Sequence, residues 1–358
     1  MVSVKPKITW KTLIMLLIGI IAFILYLFII RVDIPDIIAK IQRANMPLYL
    51  LAASLIFVEM FFYSMAWRSL LNFLSVKLSV LKSYLYVWYG NFIDIIIPAE
   101  SISGEISRVY LITREQGDAV SGKVAASLVA HRLIGMGVGA ATIGIGIVML
   151  LMEKSVDPLV FNLSVSITAA TIFFIILLAI LCVNINWTVK IIDRLIKVFE
   201  FIGGDRWKWK LTKAREDSFK LVKMFHDSMK EYAHAPRIVA ASTFLSAFSW
   251  FSYLVICYLV FLAIGRDTSF GIIFVTQSIV TAVKSIPIGV PFEVGLPEIT
   301  MTTLYVLLGI PFDISATVTI LTRILSLWLK FFVGFVVQQW IEISAIKASL
   351  KAAKADKG

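Results

Sequence analysis

Residues 158–184, PLVFNLSVSITAATIFFIILLAILCVN, contain no charged side chain. A bilayer core about 30 Å thick needs about 20 apolar residues per helix, and a helix is the open-chain segment that satisfies its own backbone there. The stretch therefore reads as a membrane span. Five further runs, roughly 12–30, 48–73, 122–151, 237–264 and 313–343, meet the same demand. Composition agrees: 59% of the 358 residues are hydrophobic, 16% are charged and mean hydropathy is +0.89. Soluble domains run at roughly 45–50% and 25%, so the excess must face lipid. An all-α polytopic membrane helix bundle is expected, as one transmembrane domain over residues 1–358. A soluble enzyme, a nucleic-acid binder using the net charge of +11, and a disulfide-stapled secreted domain are excluded. Cys182 and Cys257 lie inside apolar runs and read as small buried side chains.

Lys5, Lys7 and Lys11 precede the first run as they would in a signal peptide. The run is too long for one and ends at Ile29-Ile30-Arg31 without a small-residue cleavage site, so it reads as a retained span. Two other apolar stretches, 80–112 and 270–310, are interrupted by Pro98, Gly104, Pro287, Gly289, Pro291, Gly295 and Pro297. Proline removes a backbone donor and disrupts the preceding turn, which predicts broken, re-entrant helices. With six full spans, both termini and segment 185–236 then share one side. Of the 34 lysines and arginines, 25 fall on that side and 5 on the other, which predicts a plasma-membrane protein with both termini cytoplasmic.

Segment 185–236 is the long polar insert. Phe219, Val222, Phe225 and Met229 recur at helical spacing while Lys220, Lys223 and Lys230 take other faces. With Trp187, Trp207 and Trp209 it reads as a basic amphipathic segment lying on an anionic cytoplasmic leaflet.

The two broken stretches share a pattern. Pro98 is followed seven residues later by Glu105, with Arg132 a further 27 residues on; Pro291 is followed seven later by Glu298, with Arg323 a further 25 on. Each arginine falls about ten residues, or about 15 Å, into its helix, near mid-membrane. Half-repeats of about 48–151 and 237–343 in opposite orientation are expected, the inverted-repeat plan of many transporters. Charge at the bilayer centre costs about 2.5–3.5 kcal/mol, so ionisable groups there are functional candidates. Arg132 and Arg323, joined by Lys284, would line a cavity with charge that binds phosphate. Glu59, in mid-span, either couples a proton or forms a buried ion pair, with Arg132 and Arg323 as its expected partners. Glu105 and Glu298 follow helix-breaking residues, where a carboxylate caps the resumed helix or grips a headgroup. Lys330 is read as snorkelling to an interface. Gly135 and Gly139 read as a face for close helix packing.

The stretch Pro98-Ala-Glu-Ser-Ile-Ser-Gly-Glu105-Ile-Ser-Arg108-Val-Tyr110, followed by His131-Arg132, resembles the first motif of the lysylphosphatidylglycerol synthase transmembrane-region family. Ile286-Pro287-Ile-Gly289-Val-Pro-Phe-Glu-Val-Gly295-Leu-Pro-Glu298, followed by Arg323, Trp328 and Gly334, resembles the second. The family includes the flippase half of the multiple peptide resistance factor, and similar regions accompany glycosyltransferases acting on dolichol-phosphate sugars. The resemblance implies a lipid-headgroup translocator and points to Glu105, Arg108, Arg132, Glu298 and Arg323. The bulkier Pro291-Phe292-Glu293-Val294 replaces the usual glycine-rich turn, which implies a different substrate choice.

The expected function is translocation of a phosphate-bearing headgroup, aminoacyl phospholipid or polyprenyl-phosphate-linked. The alternatives are a small-anion transporter and a membrane subunit of a separate transferase. The expected partners are the lipid substrate, the anionic leaflet and such a transferase. No cofactor or metal motif and no catalytic motif is present in the sequence, so neither a cofactor nor enzymatic activity is expected.

Overall fold

The computed structural model describes residues 34–97, 102–153, 156–190, 193–194, 205–284 and 294–355, and these contain helices and turns but no strand. The first apolar run, 12–30, and the prolines Pro98, Pro287 and Pro291 lie outside them. A short helix α1 (Ile34–Arg43) leads into α2 (Met46–Phe73), α3 (Val80–Ile96), α4 (Ile102–Gln116), α5 (Ser121–Glu153) and α6 (Pro158–Val183). Then come α7 (Asp205–Ala233), α8 (Pro236–Ala263), α9 (Phe270–Lys284), α10 (Leu296–Leu307), α11 (Phe312–Arg323) and α12 (Lys330–Ala355), with a π-helical turn, Ile324–Leu329, joining the last two. Among the described residues five helical stretches are long and apolar enough to cross a membrane: 46–73, 118–153, 158–183, 236–263 and 312–345. They coincide with five of the runs read from sequence.

Local chemistry sets the ends. Asn45 caps α2 by accepting the Leu48 N–H, and Asp157 caps α6 by accepting that of Leu159. Pro158 and Pro236 open α6 and α8, where a missing N–H costs nothing. The two interrupted stretches are each a pair of shorter helices, α3 with α4 and α9 with α10, as the prolines predict.

The helices α2 and α8 form the centre of the bundle and run antiparallel in one register. The Asn45 N–H donates to Ala263 O at 2.6 Å, Ser249 Oγ to Glu59 O at 2.9 Å, and Ser242 Oγ to Ala66 O at 3.0 Å. Small serines at 242, 246 and 249 let the backbones approach, and Ser242 and Ser249 supply the interhelical hydrogen bonds, the usual adhesive where lipid removes the hydrophobic drive. Trp67, Trp88, Phe261 and Tyr305 fill the core. By contrast α6 turns Phe161, Val165, Ile172, Phe173 and Phe174 outward, as a lipid-facing helix would.

Close packing through glycine occurs at positions other than those expected. Side chains added at Gly146 and Gly122 would strike Phe274 and Met224, so α9 and α7 pack there on α5. At Gly135 and Gly139 an added side chain would meet nothing among the described residues within 4 Å. Segment 185–236 includes α7. Phe225, Met229 and Tyr232 pack on α2 and α5 around Leu70 and Ala126, and Lys220, Lys223 and Lys230 are exposed. Phe219 and Trp187 are exposed as well. His226 is buried, between the carbonyls of Val222 and Leu181.

Candidate functional site

Where the helices converge they enclose a cavity of about 380 Å³. Glu59 and Tyr63 reach it from α2, Glu105 and Arg108 from α4, and His131 and Arg132 from α5. Lys284 comes from the end of α9, Arg323 from α11 and Lys330 from α12, with Trp250 and Tyr253 of α8 between them. Six of the seven residues expected from sequence thus line one space. The seventh, Glu298, is fully buried directly behind Arg323. A smaller cavity of about 150 Å³ shares Glu59, Asn91, Arg108 and Lys330 and adds Asp94.

Both spaced Glu and Arg positions form pairs. Arg132 Nε lies 3.5 Å from Glu105 Oε1, and Arg323 Nε donates to Glu298 Oε1 at 2.5 Å. The capping and binding readings of the two glutamates separate here. Glu298 is the third residue of α10, and its Oε2 accepts the Gly295 N–H at 2.7 Å while Oε1 holds the arginine. Gly295, at φ +105°, takes a backbone conformation open to glycine at little cost. In the first half the corresponding role falls to Asp94 of α3, whose Oδ1 accepts the Gly104 N–H at 2.6 Å and the Ser103 hydroxyl at 2.8 Å. Glu105 is thereby left facing the cavity. Asp94 was absent from the sequence reading, although a carboxylate within an apolar stretch is the signal that singled out Glu59.

The expected partners of Glu59 are corrected. Lys330, read as snorkelling to an interface, instead turns inward. Its ammonium stands 2.7 Å from Glu59 Oε2 and 3.0 Å from Oε1, over the Tyr253 ring. Arg132 and Arg323 are engaged by their own glutamates, so burial of Glu59 is balanced by a lysine seven residues, about two turns, beyond Arg323. The positions Arg323, Ser326 and Lys330 all line the cavity. Their spacing of three and seven residues was the available signal.

Arg108 is 5% exposed, with its guanidinium 5.2 Å from the centre of the Trp67 ring and Nε directed at Gly104 O. His131 packs edge-on against Tyr63, with ring centres 4.5 Å apart. The arrangement is a basic, partly aromatic chamber inside a helix bundle. It is suited to an anion carrying several oxygens, since each guanidinium presents a planar set of donors. Among the described residues no group of His, Cys, Asp and Glu has the arrangement of a metal site.

A protein that buries this chamber within apolar helices is a multi-pass membrane protein. The chain belongs to the lysylphosphatidylglycerol synthase transmembrane-region family, whose model matches residues 13–334. It is similar to the UPF0104 membrane protein PH1989 of Pyrococcus horikoshii, 22% identical over 303 residues, spanning 83% of this chain and 88% of that one. A second UPF0104 membrane protein, from Methanothermobacter thermautotrophicus, is 34% identical over 88 residues, which is 24% of this chain and 25% of the other. No solved structure matches the chain.

Proposed function

We propose that the protein moves a phosphate-bearing lipid headgroup from one leaflet of the cytoplasmic membrane to the other. The observation that carries this reading is the convergence of Arg108, Arg132, Lys284, Arg323 and Lys330 on a single cavity within membrane-spanning helices. Charge inside a bilayer is retained for a ligand or a pathway. The phosphate would dwell among the arginines while the acyl or prenyl tail remains in lipid. Gly135, exposed and lining the cavity, marks the rim through which the tail would pass.

The antiparallel packing of α2 and α8, the leading helices of the two expected half-repeats, supports an inverted arrangement. In such a plan the broken pairs, α3 with α4 and α9 with α10, open the chamber alternately to each leaflet. The excess of lysine and arginine on the side of both termini supports a cytoplasmic placement for them.

The test is a headgroup-translocation assay in liposomes with the wild type and Arg132→Ala. Arg132 is partly exposed, so the variant is expected to insert and fold, and to lose translocation. Wild-type rates in Arg132→Ala would overturn the reading. Uptake of labelled inorganic phosphate with no lipid movement would replace it with a small-anion transporter.

A further inference from the structure

Among the described residues four carboxylates border the two cavities or lie directly behind them, and they differ in what holds their charge. Glu298 is sealed behind Arg323, with one oxygen on that arginine and the other on the Gly295 N–H. Glu59 has its oxygens 2.7 and 3.0 Å from the Lys330 ammonium. Asp94 accepts the Ser103 hydroxyl and the Gly104 N–H. Hydrogen bonds and close cations of this kind favour the charged form of a carboxylate. Glu105 accepts no side-chain hydrogen bond among the described residues, and its ion pair with Arg132 Nε is long, at 3.5 Å.

Glu105 also stands where a ligand phosphate would arrive. Arg132 faces it from α5, and Arg108 of α4, Asp94 of α3 and Tyr63 of α2 are close enough to interact with it electrostatically. The other charged or titratable groups lining the larger cavity are Glu59, His131, Tyr253, Lys284, Arg323 and Lys330. A phosphate taken up by Arg132 and Arg108 sits on the guanidinium that neutralises Glu105. It therefore lies within about 4–6 Å of that carboxylate, the range in which like charges disfavour one another strongly. Inside a bilayer such repulsion is several times larger than in water, so one of the two anions becomes neutral. A phosphodiester keeps its charge near neutral pH, and the carboxylate is the group that yields. Protonated, it is a donor rather than an acceptor.

We infer that Glu105 takes up one proton as an anionic phosphate headgroup binds, and then donates a hydrogen bond to a phosphate oxygen. The proton comes from the aqueous phase, so the ligand's negative charge is balanced and the net charge of the chamber is unchanged. A headgroup with its own ammonium brings a counter-ion for Glu105, so the proton uptake belongs to headgroups without an amine. This rests on the lipid-translocation reading for the source of the ligand, while the proton linkage follows from the surroundings of Glu105.

The experiment measures binding of phosphatidylglycerol to the purified full-length chain in mild detergent, from about pH 5.5 to about pH 8.5. The probe is a diester with constant charge over that range, unlike a monoester, whose second ionisation falls near about pH 6. One linked proton makes affinity fall as pH rises, by up to about tenfold per pH unit, and a total loss of at least about tenfold is expected. Glu105→Gln keeps a neutral donor in place at every pH. It is expected to bind within about twofold of the wild-type affinity at low pH, with no dependence on pH. Adding the lipid to the wild type in weak buffer is expected to take up as much as about one proton per lipid bound, a readout that needs no variant. Wild-type binding that is indifferent to pH, with no proton uptake, would overturn the proposal. So would a pH dependence that survives Glu105→Gln, which would assign the proton to another group such as His131. If glycerophosphoglycerol, the free headgroup, binds with the same pH dependence and displaces the lipid at equal concentration, the proton linkage stands and the lipid source falls. If neither probe binds, both fall.

Discussion

The two glutamate–arginine pairs share a spacing in sequence and differ in surroundings. The side chains of Arg323 and Glu298 are 4% and 0% exposed, whereas those of Arg132 and Glu105 are 29% and 18% exposed. The cause lies in how each resumed helix satisfies its first N–H groups. In the second half Glu298 serves both the helix start and the arginine, which pulls the pair into the protein. In the first half Asp94 reaches across from α3 to the Gly104 N–H, and Glu105 is released toward the cavity. One pair is therefore sealed inside the protein, and the other borders the cavity.

Substitutions can break or sharpen that contrast. The largest effect is expected for Glu298→Gln, which leaves Arg323 buried without its counter-ion and should cost about 3–5 kcal/mol, read as a large drop in melting temperature in detergent. Next is Gly104→Ala. A methyl group there overlaps both the Asp94 carboxylate and the Gly90 carbonyl, and forcing α3 and α4 apart should cost about 1–3 kcal/mol by the same measurement. The smallest is Glu105→Gln, expected at no more than about 1 kcal/mol, as for partly exposed ion pairs. A loss in Glu105→Gln as large as that in Glu298→Gln would mean that both pairs are structural, and the division of roles between them would fall.

Much of this architecture is legible in the sequence. The apolar runs are the spans because a chain in lipid must bond its own backbone, and length with composition then suffices. That α3 and α4, and likewise α9 and α10, are separate helices agrees with the proline and glycine of the two interrupted stretches. Several cavity-lining residues could be singled out because an ionisable group in an apolar run is expensive wherever it sits, so Glu59, Arg132, Lys284 and Arg323 declare themselves one by one. Arg108 came instead from motif resemblance.

Partnership was less legible. Lys330 could be assigned to an interface or to the cavity on sequence alone, since a long side chain reaches several places from one helix position. The Gly135 and Gly139 spacing looks like a packing face, yet packing needs a second helix opposite, and α9 and α7 meet α5 at Gly146 and Gly122 instead. Asn91, Ser246, Trp250 and Ser326 carry no charge that would mark them in an apolar run. Their placement around one cavity is a property of several helices at once.

The sequence by itself determined that the chain is a helical membrane protein, where its helices break, and which charges are held in the apolar interior. Each of those is a local matter of hydrophobicity, backbone geometry or the cost of charge. Only the tertiary structure decided which charges neutralise one another, because an ion pair between α2 and α12 depends on the packing of both and not on either segment. It also decided which charges border the cavity and which, like that of Glu298, lie sealed behind it.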